Sequence, residues 1–115
     1  STIKIYEKII SARPNNDLVL NNLAWILLTA QNKKLRNIKK ALKLALKSVE
    51  IFPTIDNLDT LAEAYFQSGK VKEAINILRK ATIDVNYPVQ RQPYLRKQFL
   101  RFKKGDSNTN PPSLF

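Results

Sequence analysis

Apolar residues recur along this chain at helical spacing, in short segments separated by Pro, Gly and Asn. Ile3, Tyr6, Ile9 and Ile10 share one helical face and predict a helix over Ile3 to Ala12. Arg13-Pro14-Asn15-Asn16 ends it, because a residue before proline avoids the α region. Leu20, Leu23, Ala24, Leu27 and Leu28 predict a second helix from Leu18 to Gln31, with Asp17 beside its N-cap. A third runs from Leu35 or Ile38 to Ile51 on the stripe Ile38, Leu42, Ala45, Leu46 and Val49, and Phe52-Pro53 stops it. Asp56 or Asn57 is expected to cap a fourth that reaches Gln67, where Gly69 supplies the positive φ of a helix end, and Val71 to Thr82 is the fifth. Tyr94, Leu95, Gln98, Phe99 and Phe102 predict a last helix from Gln90 or Pro93 to Lys103. Arg91, Arg96, Lys97, Arg101, Lys103 and Lys104 are expected to cover its solvent side. Gly105 ends that helix, and Asp106 to Phe115 has the Ser/Asn/Pro composition of a flexible tail, unless a groove holds Leu114 and Phe115.

Two stretches repeat one pattern. Leu20-x2-Leu23-Ala24-x2-Leu27, Ala41-x3-Ala45 and Pro53 are answered by Leu58-x2-Leu61-Ala62-x2-Tyr65, Ala74-x3-Leu78 and Pro88. A period of roughly 34 residues with small residues at fixed places is the signature of a stacked helical array. Ala24, Ala41, Ala62 and Ala74 fall where paired helices would cross, and short side chains let the axes approach to about 8–10 Å.

The chain resembles the tetratricopeptide repeat (TPR) family. Leu23-Ala24-Trp25, Leu35-Arg36 and Ala41-Leu42-Lys43-Leu44-Ala45 are similar to one subgroup of bacterial TPR proteins. The resemblance implies an all-α, right-handed solenoid of antiparallel helix pairs in a single domain, 1–105. Residues 3–14 would be the second helix of an incomplete repeat, since Tyr6 and Pro14 match the end of a unit. Residues 17–53 and 55–88 would be two repeats, 90–104 a capping helix and 106–115 the tail. A solenoid needs such a cap, because its last repeat would otherwise leave an apolar face in water. The unmatched first helix makes the chain either part of a longer repeat protein or a small one that pairs an exposed Ile3/Tyr6/Ile10 face with another copy. One departure stands out: Leu20 to Ala41 spans 21 positions where Leu58 to Ala74 spans 16, so five extra residues enlarge the turn around Asn32 to Lys39. Such an insertion is a binding loop or a tolerated surface loop.

The formal charge of +11 is unevenly placed, with Lys33, Lys34, Arg36, Lys39, Lys40, Lys43 and Lys47 uninterrupted by an acid. Arg36, Lys40, Lys43 and Lys47 follow at i, i+4, i+7 and i+11, which predicts a basic ridge on the convex side. It is either a solvated face in a Lys-, Ile- and Asn-rich chain or a surface for an anionic partner. An acidic protein is favoured. Nucleic acid is the alternative, because no phosphate loop, recognisable motif or aromatic on the Lys-rich helix supports it. The absence of His and Cys removes the usual metal ligands, thiol nucleophiles and disulfides, so no cofactor or metal is expected. An enzyme would have to use Asp56 and Glu63 without a pocket or nucleophile nearby, and the reading is non-catalytic. No hydrophobic run approaches the ~20 residues of a membrane span. Cytoplasm and periplasm both fit.

By resemblance, the first helix of each unit lines the concave face, placing Leu18, Asn21, Asn22, Trp25, Leu28 and Thr29 there in one unit. Asp56, Asp59, Glu63, Phe66 and Gln67 take those places in the other. Asp56, Asp59 and Glu63 form an acidic stripe at i, i+3 and i+7. It would receive either a Lys/Arg-bearing peptide or the protein's own basic last helix. Trp25 is a ligand anchor or a packing residue. The family's carboxylate clamp is not expected, because acids stand where its cations would be needed. The function implied is that of an adaptor, scaffold or assembly factor.

Overall fold

A computed structural model of the chain describes residues 1–83 and 92–112. Among the described residues the periodic segments form six α-helices and no strand. They are α1 (Thr2–Ala12), α2 (Asp17–Thr29), α3 (Ile38–Ile51), α4 (Ile55–Gln67), α5 (Val71–Ile83) and α6 (Gln92–Lys104), with one 3₁₀ turn at Lys33–Leu35. Each helix packs on the next in sequence, and α4 also packs on α2. The expected unit end at Pro88, the earlier helix start at Gln90 and the tail anchors Leu114 and Phe115 lie outside the described residues.

Local signals set the boundaries. Asn16 Oδ1 accepts from Val19 N at 3.3 Å and Asn37 Oδ1 from Lys40 N at 3.0 Å, each satisfying a backbone donor that the first helical turn leaves free. The cap of α4 is Thr54, not Asp56 or Asn57: its Oγ1 accepts from Asn57 N at 3.1 Å. Thr54 follows Pro53 in extended backbone, which is the geometry of an N-cap, and this leaves Asp56 in the first turn and lets Asn57 turn inward. Gly69, at φ 82, ends α4 with Lys70 N bonded to Tyr65 O and Gly69 N to Phe66 O. That pair of bonds is the Schellman closure, which needs the left-handed residue glycine supplies.

Two apolar clusters share α4. Leu23, Ala24, Leu27, Leu28, Ala41 and Ala45 pack with Leu61 and Ala64 on one side. Ala74, Leu78, Tyr94, Leu95 and Phe102 pack with Ala62 and Phe66 on the other. The four crossing alanines are fully buried, as their small size requires. A helix with a core on both sides has little free surface, and Asn57, Asp59, Thr60 and Glu63 of α4 are buried along with its apolar residues. Buried polar groups must be hydrogen-bonded or they destabilise the fold, so these four positions determine what else must be nearby.

Three expectations change. The face Ile3/Tyr6/Ile10 is not a bare apolar surface, because all three are half-buried against the first cluster, which would otherwise face water. On α3 the inward row is Ala41, Ala45 and Ser48, flanked by Leu42, Leu44 and Val49, while Ile38 and Leu46 point outward. Small residues face in because α3 lies against both α2 and α4. Finally, Asp106 to Pro112 is not a free tail: Thr109 is bonded back onto Arg101 of α6.

Candidate functional site

On α4, Asp59 and Glu63 stand one turn apart, and on α6 Tyr94, Gln98 and Arg101 follow at i, i+4 and i+7; the two rows meet. Tyr94 Oη donates to Asp59 Oδ2 at 2.8 Å, and Gln98 Nε2 donates to Asp59 Oδ1 at 3.3 Å and Glu63 Oε1 at 3.1 Å. Arg101 forms a two-pronged pair with Glu63, Nη1 to Oε1 at 2.6 Å and Nη2 to Oε2 at 2.8 Å. Its remaining donors reach Gln98 Oε1 at 2.8 Å, Thr109 Oγ1 at 2.8 Å and Thr109 O at 2.7 Å. All five guanidinium N–H groups are therefore occupied. The guanidinium also lies over the Phe66 ring, 4.8 Å from its centroid, and Phe66 stacks on Phe102 at 4.5 Å. Gln67 completes the network by donating to Glu63 Oε2 at 2.7 Å and to Leu28 O at 3.1 Å, which ties α4 to the end of α2.

Of the two occupants the acidic stripe allows, this arrangement has the chain's own last helix. Glu63 and Phe66 are fully buried, Asp59 nearly so, and Leu28 lies in the core, so none of these four offers a surface. Asp56 and Asn22 are exposed, and Asn21 and Trp25 are half-buried. Both Glu63 oxygens are engaged within the fold, by Gln67, Gln98 and Arg101.

The basic ridge is interrupted. Arg36 lies before α3, in the turn, where its Nε donates to Ala30 O at 2.7 Å. Lys40 pairs with Glu7 of α1 at 2.9 Å, and of the remaining two Lys43 is exposed and Lys47 half-buried. The enlarged turn closes the end of α2, which stops without a glycine and has its last carbonyls collected by the turn and by α4. Asn37 N binds Leu27 O at 2.9 Å, Gln67 binds Leu28 O, and Arg36 binds Ala30 O. A cation at a helix C-terminus also complements the helix dipole.

Beside Trp25 the described residues enclose a cleft of about 440 Å³. Trp25 and Thr29 of α2 form one wall, Lys33 and Arg36 of the turn another, and Pro111 and Pro112 of the returning tail the third. No acidic residue lines it among the described residues. Asn21 precedes Trp25 by one turn, and its Oδ1 is buried without a hydrogen-bond partner among the described residues. Among the described residues no three His, Cys, Asp or Glu side chains gather into a group able to hold a metal, and no helix is long and apolar enough to cross a membrane. No protein-family model, no curated protein and no solved structure matches the chain.

Proposed function

We propose that the chain is a non-catalytic protein-interaction module of TPR-like, right-handed repeat architecture, an adaptor, scaffold or assembly factor. It holds an acidic segment of a partner protein in the cleft beside Trp25. The observation that carries this reading is the division of the groove. Its acidic half is filled internally by α6, while its other half joins a half-buried indole, two prolines and two cations in one concave surface. An aromatic wall with cations at the rim suits an apolar side chain flanked by carboxylates. Of the residues the sequence pattern assigns to the concave face, Trp25 and Thr29 line this cleft, and Lys33 and Arg36 supply the charge.

Trp25 is the only tryptophan, so its emission reports on the cleft directly. Peptides carrying an apolar residue between glutamates are titrated at low and high salt while Trp25 fluorescence is followed. Binding should shift the emission, weaken with salt, and fall several-fold in a Lys33→Glu variant. Equal affinity in that variant, with the circular dichroism spectrum intact, would sink the reading. A fluorescence change produced by oligonucleotides but not by peptides would favour nucleic acid instead.

A further inference from the structure

The side of α6 that faces away from the groove carries a second pattern that the plugging of the groove does not use. Arg96, Phe99, Leu100 and Lys103 follow at i, i+3, i+4 and i+7, so they share one face, opposite Tyr94, Gln98 and Arg101. Together with Arg79 of α5 they line a cleft of about 450 Å³. Its floor is apolar: Phe99 packs against the second core cluster from a half-buried position, and Leu100 is 61% exposed. Its rim is cationic: Arg79, Arg96 and Lys103 are exposed and make no ion pair among the described residues. No acidic residue lines it among the described residues. A solvating cap needs charge on this face but has no use for an exposed leucine beside a phenylalanine.

We infer that this face of α6, with Arg79, is a docking surface for an acidic amphipathic helix of a partner protein. Its apolar residues enter the Phe99/Leu100 cleft and its carboxylates meet Arg79, Arg96 and Lys103. Charge complementarity selects the sign of the partner, since among the described residues the surface offers cations alone. Shape selects a protein over a membrane: the site is concave, whereas a bilayer is met by a protruding apolar face. Helix-on-helix packing is also how α5 receives α6, so an added helix continues the same stacking. The surface does not depend on the Trp25 cleft, and a module with both would bridge two acidic segments.

The test uses the full chain and a fluorescein-labelled helical peptide with leucines on one face and glutamates on either side of them. Fluorescence anisotropy should show salt-sensitive binding. Arg96→Glu with Lys103→Glu should weaken it about tenfold or more, as charge reversal of two rim contacts does. Leu100→Ser should weaken it at unchanged salt dependence, and Lys33→Glu should leave it unaltered. A peptide with lysines in place of the glutamates should bind the reversed variant better than the wild type. These positions are exposed, so the variants are expected to keep the wild-type melting temperature, which is measured alongside. Equal peptide affinity in the reversed variant would overturn the proposal. So would binding to phosphatidylserine-containing vesicles or to an oligonucleotide with none to the peptide.

Discussion

Replacing Arg101 by methionine tests the polar network most severely. The side chain of Arg101 is 9% exposed and that of Glu63 is fully buried, so their two bonds of 2.6 and 2.8 Å lie in the buried regime. Exposed ion pairs contribute about 0–1 kcal/mol. Removing one partner of a buried pair leaves an uncompensated charge and costs about 3–5 kcal/mol. Arg101→Met keeps much of the apolar stem but leaves Glu63 with Gln67 and Gln98 alone, and it releases Thr109. Against a domain stability of about 5–15 kcal/mol this is a large share. At about 4 °C per kcal/mol for a chain of this size, the melting temperature should fall by roughly 12–20 °C. The assay is urea and thermal unfolding followed by circular dichroism, in a double-mutant cycle with Glu63→Gln. The double variant should recover part of the loss, because the orphaned carboxylate is gone. A loss below about 1 kcal/mol for Arg101→Met, or strict additivity in the cycle, would mean that the pair behaves as a solvent-exposed one.

Other consequences follow from the same packing. Ala74→Phe inserts a ring where α4 and α5 cross at a fully buried position, and should destabilise by about 1–3 kcal/mol in the same unfolding assay. Asn57 Nδ2 reaches Asp17 Oδ2 at 3.0 Å and Phe52 O at 2.9 Å, so Asn57→Ala should cost about 0.5–1.5 kcal/mol per bond lost to these part-buried acceptors, measured by urea unfolding. Lys40→Ala removes the pair with Glu7, whose side chains are 42% and 45% exposed, and its unfolding midpoint should report a change of less than about 1 kcal/mol.

The helices are legible in the sequence because Pro14, Pro53 and Gly69 punctuate the apolar stripes. The alanine repeat likewise marks the helix crossings. Where sequence and structure differ, a residue has two roles open to it and tertiary context chooses. Asp56 and Asn57 are as good as Thr54 by residue type, yet only Thr54 precedes the first turn in extended backbone. Hydropathy alone places Leu46 inward, but two helices press on α3 and the close contact goes to alanine and serine. The acidic stripe is visible in sequence, and so is the possibility that the last helix fills it. Which cation does so is not, because Arg101 stands among solvating neighbours of the same charge. Its signal is its register: it shares a face with Tyr94 and Gln98, and a glutamine within an otherwise apolar stripe implies a polar partner across the interface. The anchored tail has no signal in composition, since its hold depends on Arg101 having donors to spare after binding Glu63.

Tyr94, Gln98 and Arg101 of α6 pack on Asp59 and Glu63 of α4, and in the function proposed above this leaves partner binding to the surfaces around them. Amide hydrogen exchange on the full chain tests this most directly, because protection requires α6 to be packed and not merely helical. The amides of Gln98 to Phe102 should exchange slowly and together with those of Glu63 to Phe66, and should lose protection in Arg101→Met. Fast exchange throughout α6 while α4 remains protected would contradict that packing, and would return Asp59 and Glu63 to the role of an open peptide site.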